Sequence, residues 1–128
     1  MKLPEELKYK LEEIVNKYKE NELKNAYTGI SERYMTEKRT GQTLLSKEID
    51  VVAYANARMP ATYSSVHTAF SKVTEFINEE NLKSLLDIGA GTGAATWAMS
   101  DFIDFEKITC LEREESMINV RQFINERY

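Results

Sequence analysis

The chain has 128 residues, with 17 Lys+Arg against 21 Asp+Glu, a net charge of -4, 42% hydrophobic and 30% charged residues, which caps it at one domain's length. The acidic balance argues against nonspecific nucleic-acid binding, which Lys and Arg drive by displacing phosphate counterions, while leaving room for a local basic patch. One cysteine, Cys110, rules out an intrachain disulfide, and with the lone His67 it leaves too few soft ligands for a zinc or iron-sulfur site.

From Pro4 to about Lys24 the sequence predicts a charged amphipathic helix. Leu7, Leu11, Ile14 and Tyr18 recur at helical spacing, and Glu6-Lys10, Glu13-Lys17 and Glu20-Lys24 are Glu-before-Lys pairs on its surface. Tyr27, Ile30 and Tyr34 mark a second helix over residues 25 to 38, and Arg39-Thr40-Gly41-Gln42 reads as a break. Ser46 suits the cap of a third helix from Lys47 to about Met59, with Ile49, Val52, Ala53 and Ala57 on a small-residue face. Pro60 is expected to stop it. A fourth helix carrying Tyr63, Val66, Phe70, Val73 and Ile77 then runs to about Asn78, so that the two meet at an Arg58-Met59-Pro60 corner.

The pattern changes after Asn81. Ser84 to Ile88 is a short apolar run of the buried parallel-strand kind. Thr92 to about Phe102 reads as helix, Lys107 to Leu111 as a second strand and Glu115 to Arg127 as a last helix. The expected architecture is therefore α/β: a helical region over residues 1 to 80, then the opening β-α-β-α of a Rossmann-like sheet over 81 to 128. A complete doubly wound domain usually needs a longer chain, so such a motif here is expected to belong to a fragment. Two parallel strands with open edges also suggest self-association or strand exchange.

The strand-to-helix turn Asp87-Ile88-Gly89-Ala90-Gly91-Thr92-Gly93 carries the chemistry. Glycine lets the chain turn sharply and lets a ligand approach the backbone. Glycine spacing alone is weak evidence, since Gly89, Gly91 and Ala94 also fit a relaxed dinucleotide pattern and a turn that binds nothing has the same residues. Asp87 tilts the reading: S-adenosylmethionine is cationic at its sulfonium and amino group and has no phosphate, so a carboxylate attracts it and repels a pyrophosphate. Glu112, 19 residues after Gly93 at the end of the second strand, can accept both hydroxyls of a ribose. That supports a ribose, whichever nucleotide carries it.

Tyr54-Ala55-Asn56-Ala57-Arg58-Met59-Pro60-Ala61-Thr62-Tyr63, then Leu85 to Gly93, then Leu111-Glu112-Arg113 resembles the N-terminal half of the small-ribosomal-subunit methyltransferase-like family, over roughly residues 25 to 128. The resemblance implies a class I methyltransferase fold with S-adenosyl-L-methionine as cofactor. Its mitochondrial members assist small-subunit assembly and its bacterial members are described as rRNA methyltransferases, which implies small-subunit ribosomal RNA or ribosomal proteins as partners. Asp87, Gly89, Gly91 and Gly93 would form the first cofactor loop, Glu112 would hold the ribose and Met117 would lie near the adenine. The later strands, the acceptor-site motif and the cysteine-rich segment of many members are absent, so an iron-sulfur cluster does not carry over and this chain alone is expected to be inactive.

Arg58 could pair with the carboxylate of the cofactor's methionine moiety or complement a helix C-terminus. Tyr63 and Tyr54 could line the pocket or pack. His67 is expected in the core or on the surface, Cys110 as a small buried hydrophobe, and Trp97 and Met99 in the core. The reading reached from sequence is a methyltransferase N-terminal part acting on ribosomal RNA or in small-subunit assembly, with two rivals: an assembly factor of the same fold without chemistry, and a helical interaction module. No apolar run approaches the ~20 residues that cross a bilayer and MKLPEELKYK lacks a signal peptide's apolar segment, so no membrane contact and a cytoplasmic location are expected.

Overall fold

The computed structural model describes residues 3 to 36 and 47 to 125. In chain order the elements are α1 (Glu5–Val15), α2 (Glu20–Thr36), α3 (Glu48–Val73), a 3-10 turn at Glu79–Asn81, β1 (Ser84–Ile88), α4 (Ala94–Ser100), β2 (Lys107–Leu111) and α5 (Glu115–Ile124). The expected cap Ser46 and break at 39 to 42 lie outside the described residues.

Helix α1 starts behind Pro4, whose carbonyl accepts from the Lys8 N–H at 2.9 Å, and Glu5 and Glu6 place negative charge on its positive end. Its buried stripe is Leu7, Leu11 and Ile14. The helix expected to run on to Lys24 instead ends at Val15. Lys17 and Tyr18 donate to the carbonyls of Ile14 and Val15, three residues back, at 3.2 and 3.1 Å, and the Lys19 carbonyl then takes the Glu22 and Leu23 N–H groups to begin α2. Tyr18 is drawn out of the helical stripe at this elbow, and its hydroxyl donates to Glu48 at the start of α3 over 2.9 Å. Lys17 lies past the end of α1 with its ammonium 4.1 Å from the Phe123 ring centroid, and Lys10 pairs with Glu13 at 3.7 Å.

The two helices expected on either side of Pro60 are one, α3, with Pro60 inside it. Proline removes the bond to the Asn56 carbonyl and costs ~3 kcal/mol in a helix interior. Two features offset this. Asn56, Ala57 and Arg58 are exposed, so the orphan carbonyl is on the solvated side. The opposite stripe of Val52, Ala55, Met59 and Tyr63 is buried straight through the proline, and each large apolar side chain buried contributes ~1.5–3 kcal/mol. Packing therefore overrides the local signal. Pro60→Ala is expected to raise stability by ~1–3 kcal/mol in urea denaturation; a loss of stability would show that the proline's geometry is itself required by the packing of Met59.

Helix α3 is the hub, packed against α1, α2, α4 and α5. One cluster of buried residues runs from Leu7, Leu11 and Ile14 through Val51, Val52, Ala55 and Met59 to Trp97, Ala98, Val120 and Ile124. The strands occupy the ranges expected and pair in parallel, with Ser84 opposite Lys107 and Ile88 opposite Leu111, which makes the fold α/β. The expected burial is corrected, however. Along β1 only Leu85 and Asp87 are half-buried, and Leu86, Ile88 and Leu111 are 57%, 73% and 51% exposed. Alternate strand residues point to opposite faces, and among the described residues helices cover one face of this sheet. Parallel sheets are ordinarily covered on both, so the open face and edges are the features on which the expected self-association would draw.

Candidate functional site

The turn between β1 and α4 is held over the end of β2. The Gly89 and Ala90 N–H groups both donate to the Leu111 carbonyl, at 2.8 and 3.0 Å, and the Gly93 N–H closes onto Ala90 at 3.0 Å. Gly89, Gly91 and Gly93 have φ of 71°, 56° and 95°, the left-handed region that L side chains disfavour by ~1–2 kcal/mol. The three glycines then differ. A Cβ at Gly89 or Gly91 would meet nothing within 4 Å, so open space lies over the backbone where a ligand would have to come close. A Cβ at Gly93 would sit 2.7 Å from Asn125 Nδ2 and 3.3 Å from Arg121 Cγ; this glycine lets the turn pack on α5.

Two carboxylates flank the turn. Asp87, on the helix-covered face of β1, accepts from the Thr96 hydroxyl of α4 at 3.0 Å, and Thr96 Oγ1 also lies 3.5 Å from Cys110 Sγ. Glu112 reaches over from the end of β2: one carboxylate oxygen accepts from the Gly91 N–H at 2.8 Å and the other from the Glu114 N–H at 3.2 Å. Each of its oxygens keeps a lone pair for a further donor. The neighbouring Arg113 pairs with Glu114 at 3.3 Å and is 76% exposed.

The structure thus brings together Asp87, Gly89, Gly91 and Glu112 at one turn. The Arg-Met-Pro segment of α3 reaches the same turn through Met59, whose sulfur accepts from the Thr92 hydroxyl at 3.6 Å. Arg58 is exposed on α3; because the helix continues to Val73, the idea that Arg58 complements a helix C-terminus loses its basis. Tyr63 is 3% exposed, with its ring 5.6 Å from that of His67. Met117 is half-buried against the core cluster.

Sequence reasoning missed three partners. Thr96, 1% exposed, holds Asp87 from nine residues away. Met59 meets Thr92 across 33 residues. His67, for which the sequence suggests no partner, lies with Nε2 2.7 Å from Asp101, its ring 4.4 Å from that of Phe102. Only Thr96 had a legible cue, a hydroxyl one turn into the helix that leaves the glycines. Among the described residues no group of three His, Cys, Asp or Glu side chains could hold a metal ion, and no helix is long and apolar enough to cross a membrane.

A comparison of the sequence with curated proteins gave no match. A family described as mitochondrial small ribosomal subunit Rsm22 matches residues 48–128, narrower than the stretch from about residue 25 that the sequence motifs suggest. The match takes in α3, the glycine turn and both flanking acids, more than half of the chain, and on that ground the chain belongs to the Rsm22 family of the mitochondrial small ribosomal subunit.

Proposed function

We propose that the protein binds S-adenosylmethionine at the turn from Asp87 to Gly93 and serves small-ribosomal-subunit RNA methylation or assembly as part of a class I methyltransferase fold. The observation that carries the reading is the placement of Glu112: its carboxylate is anchored on the Gly91 N–H, beside backbone over which there is open space. The lone pairs left on its two oxygens suit the paired hydroxyls of a ribose. Electrostatics supports this cofactor over a dinucleotide. Unit charges 4 Å apart interact by ~4 kcal/mol near a protein surface, a term that favours a cation beside Asp87 and Glu112 and opposes a pyrophosphate there. Methyl transfer would run from the sulfonium to a nucleophilic acceptor, leaving S-adenosylhomocysteine, with positioning as the main contribution of the protein. The family description supports the ribosomal half of the reading.

Calorimetric titration tests it. Wild type is expected to bind S-adenosylmethionine at micromolar Kd, and Asp87→Ala and Glu112→Ala to weaken binding by about tenfold or more, the effect of losing a hydrogen bond to a charged group. Negligible heats from all three proteins would reject the cofactor site.

A further inference from the structure

The elbow between α1 and α2 stands off from the first half of α3, and a cavity of about 500 Å³ opens between them. It is separate from the glycine turn: its lining comes from Val15 to Tyr27 and from Ala53, Asn56 and Ala57. Ala53 and Ala57 lie one turn apart on α3 and, having no side chain beyond Cβ, leave the floor low. Tyr18 and Tyr27 contribute two half-buried aromatic rings, Asn16 and Asn56 two exposed amides, and Lys24 an exposed ammonium. Glu20 is the acidic member of the lining. Tyr18 is fixed by its hydroxyl bond to Glu48, and burial, that bond and the Glu48 charge push its phenol up to about 12, so it stays a neutral donor across the working range of pH.

We infer that this cavity takes one unstacked base of a single-stranded RNA, with the adjoining phosphate toward Lys24. The inference rests on the RNA part of the function proposed above and adds a contact surface remote from the cofactor turn. Each piece of the lining fits a different part of that ligand. Aromatic rings supply stacking surface, which binds any base because every base has a π-face. An amide side chain carries both donors and an acceptor, as the polar edge of a base does. The volume lies within the ~300–1,000 Å³ of small-molecule sites, ample for a base and its ribose. The net charge of -4 opposes broad phosphate binding, and therefore favours a pocket that gains from stacking over one that tracks a backbone.

The test is fluorescence anisotropy with a short labelled single-stranded oligoribonucleotide, alongside the same sequence as a duplex. Three variants are compared with wild type: Ala57→Phe to fill the cavity, Tyr27→Ala to remove a stacking surface, and Lys24→Gln to remove the cation. Ala57 and Lys24 are exposed, so their variants leave the fold intact and keep the test informative even if Tyr27→Ala unfolds. The expected result is single-strand binding by wild type, weakened about tenfold by Ala57→Phe and less by Lys24→Gln, with the duplex bound more weakly than the single strand. Single-strand binding that is the same in wild type and Ala57→Phe would overturn the pocket while leaving RNA as the partner. Absence of RNA binding by a wild-type protein that still titrates with S-adenosylmethionine would overturn the pocket and leave the cofactor site standing.

Discussion

Replacing Gly93 with alanine is expected to lower stability by ~3 kcal/mol, whereas the same change at Gly91 should lower it by only ~1 kcal/mol and show its main effect on ligand binding. Both glycines have left-handed φ, so both variants carry the backbone penalty of ~1–2 kcal/mol. The difference lies in what the new methyl meets. At Gly91 it projects into open space, and at Gly93 it comes 2.7 Å from Asn125 Nδ2. Asn125 is 7% exposed and accepts the Trp97 indole N–H through its carboxamide oxygen, so it cannot swing aside without disturbing that bond. A buried donor left unsatisfied costs a further ~1–3 kcal/mol. Against a total stability of ~5–15 kcal/mol for a domain, the Gly93 variant should show a clearly lower urea midpoint. The Gly91 variant should melt near wild type yet lose affinity for S-adenosylmethionine, because its methyl stands where the ligand would approach the backbone. Equal stability losses in the two variants would mean that Asn125 relaxes freely and that Gly93 is required for its φ alone.

The contrast between these glycines also marks how far the sequence was legible. That glycines fill the strand-to-helix turn follows from a local motif, and so does the position of Asp87 and Glu112 at the two strand ends. Both strands were readable at their full length because each is a short apolar run with sharp punctuation. That Gly93 serves packing while Gly89 and Gly91 leave space depends on α5 lying behind the turn, which no local pattern encodes. The same holds for the two errors in the helices. The stripe of Leu7, Leu11, Ile14 and Tyr18 is continuous in the sequence, yet the chain turns at an elbow where Tyr18 bonds Glu48 thirty residues on, a contact outside the reach of any local pattern. Pro60 is a strong local stop signal, yet α3 passes through it because Met59 and Tyr63 are buried on either side. The hydrophobic run Ser84 to Ile88 implied cover on both faces; among the described residues α4 supplies it on one, and Leu86 and Ile88 are left exposed.

Tyr63→Ala is expected to be the most damaging single change considered, lowering stability by ~4 kcal/mol, while Tyr63→Phe should cost ~1 kcal/mol or less. The ring is 3% exposed and lies beside His67, which is tied to Asp101 at the end of α4. Its removal would open a cavity between α3 and α4, the two helices that hold Met59 against Thr92 and Thr96 against Asp87. Tyr63 therefore has two ways to affect cofactor binding, and the pair of variants separates them. If the ring acts by fixing α3 against α4, Tyr63→Phe binds S-adenosylmethionine as wild type does, and Tyr63→Ala loses affinity together with stability. If the hydroxyl touches the cofactor, Tyr63→Phe loses affinity with its melting curve nearly unchanged. Burial to this degree leaves no side-chain surface for a ligand unless α3 moves, so the first outcome is expected. Arg58→Ala provides the complementary case. Arg58 is exposed, so its removal should change stability by less than ~0.5 kcal/mol, and any loss of affinity measured in the same titration reports a direct contact of the guanidinium with the ligand's carboxylate.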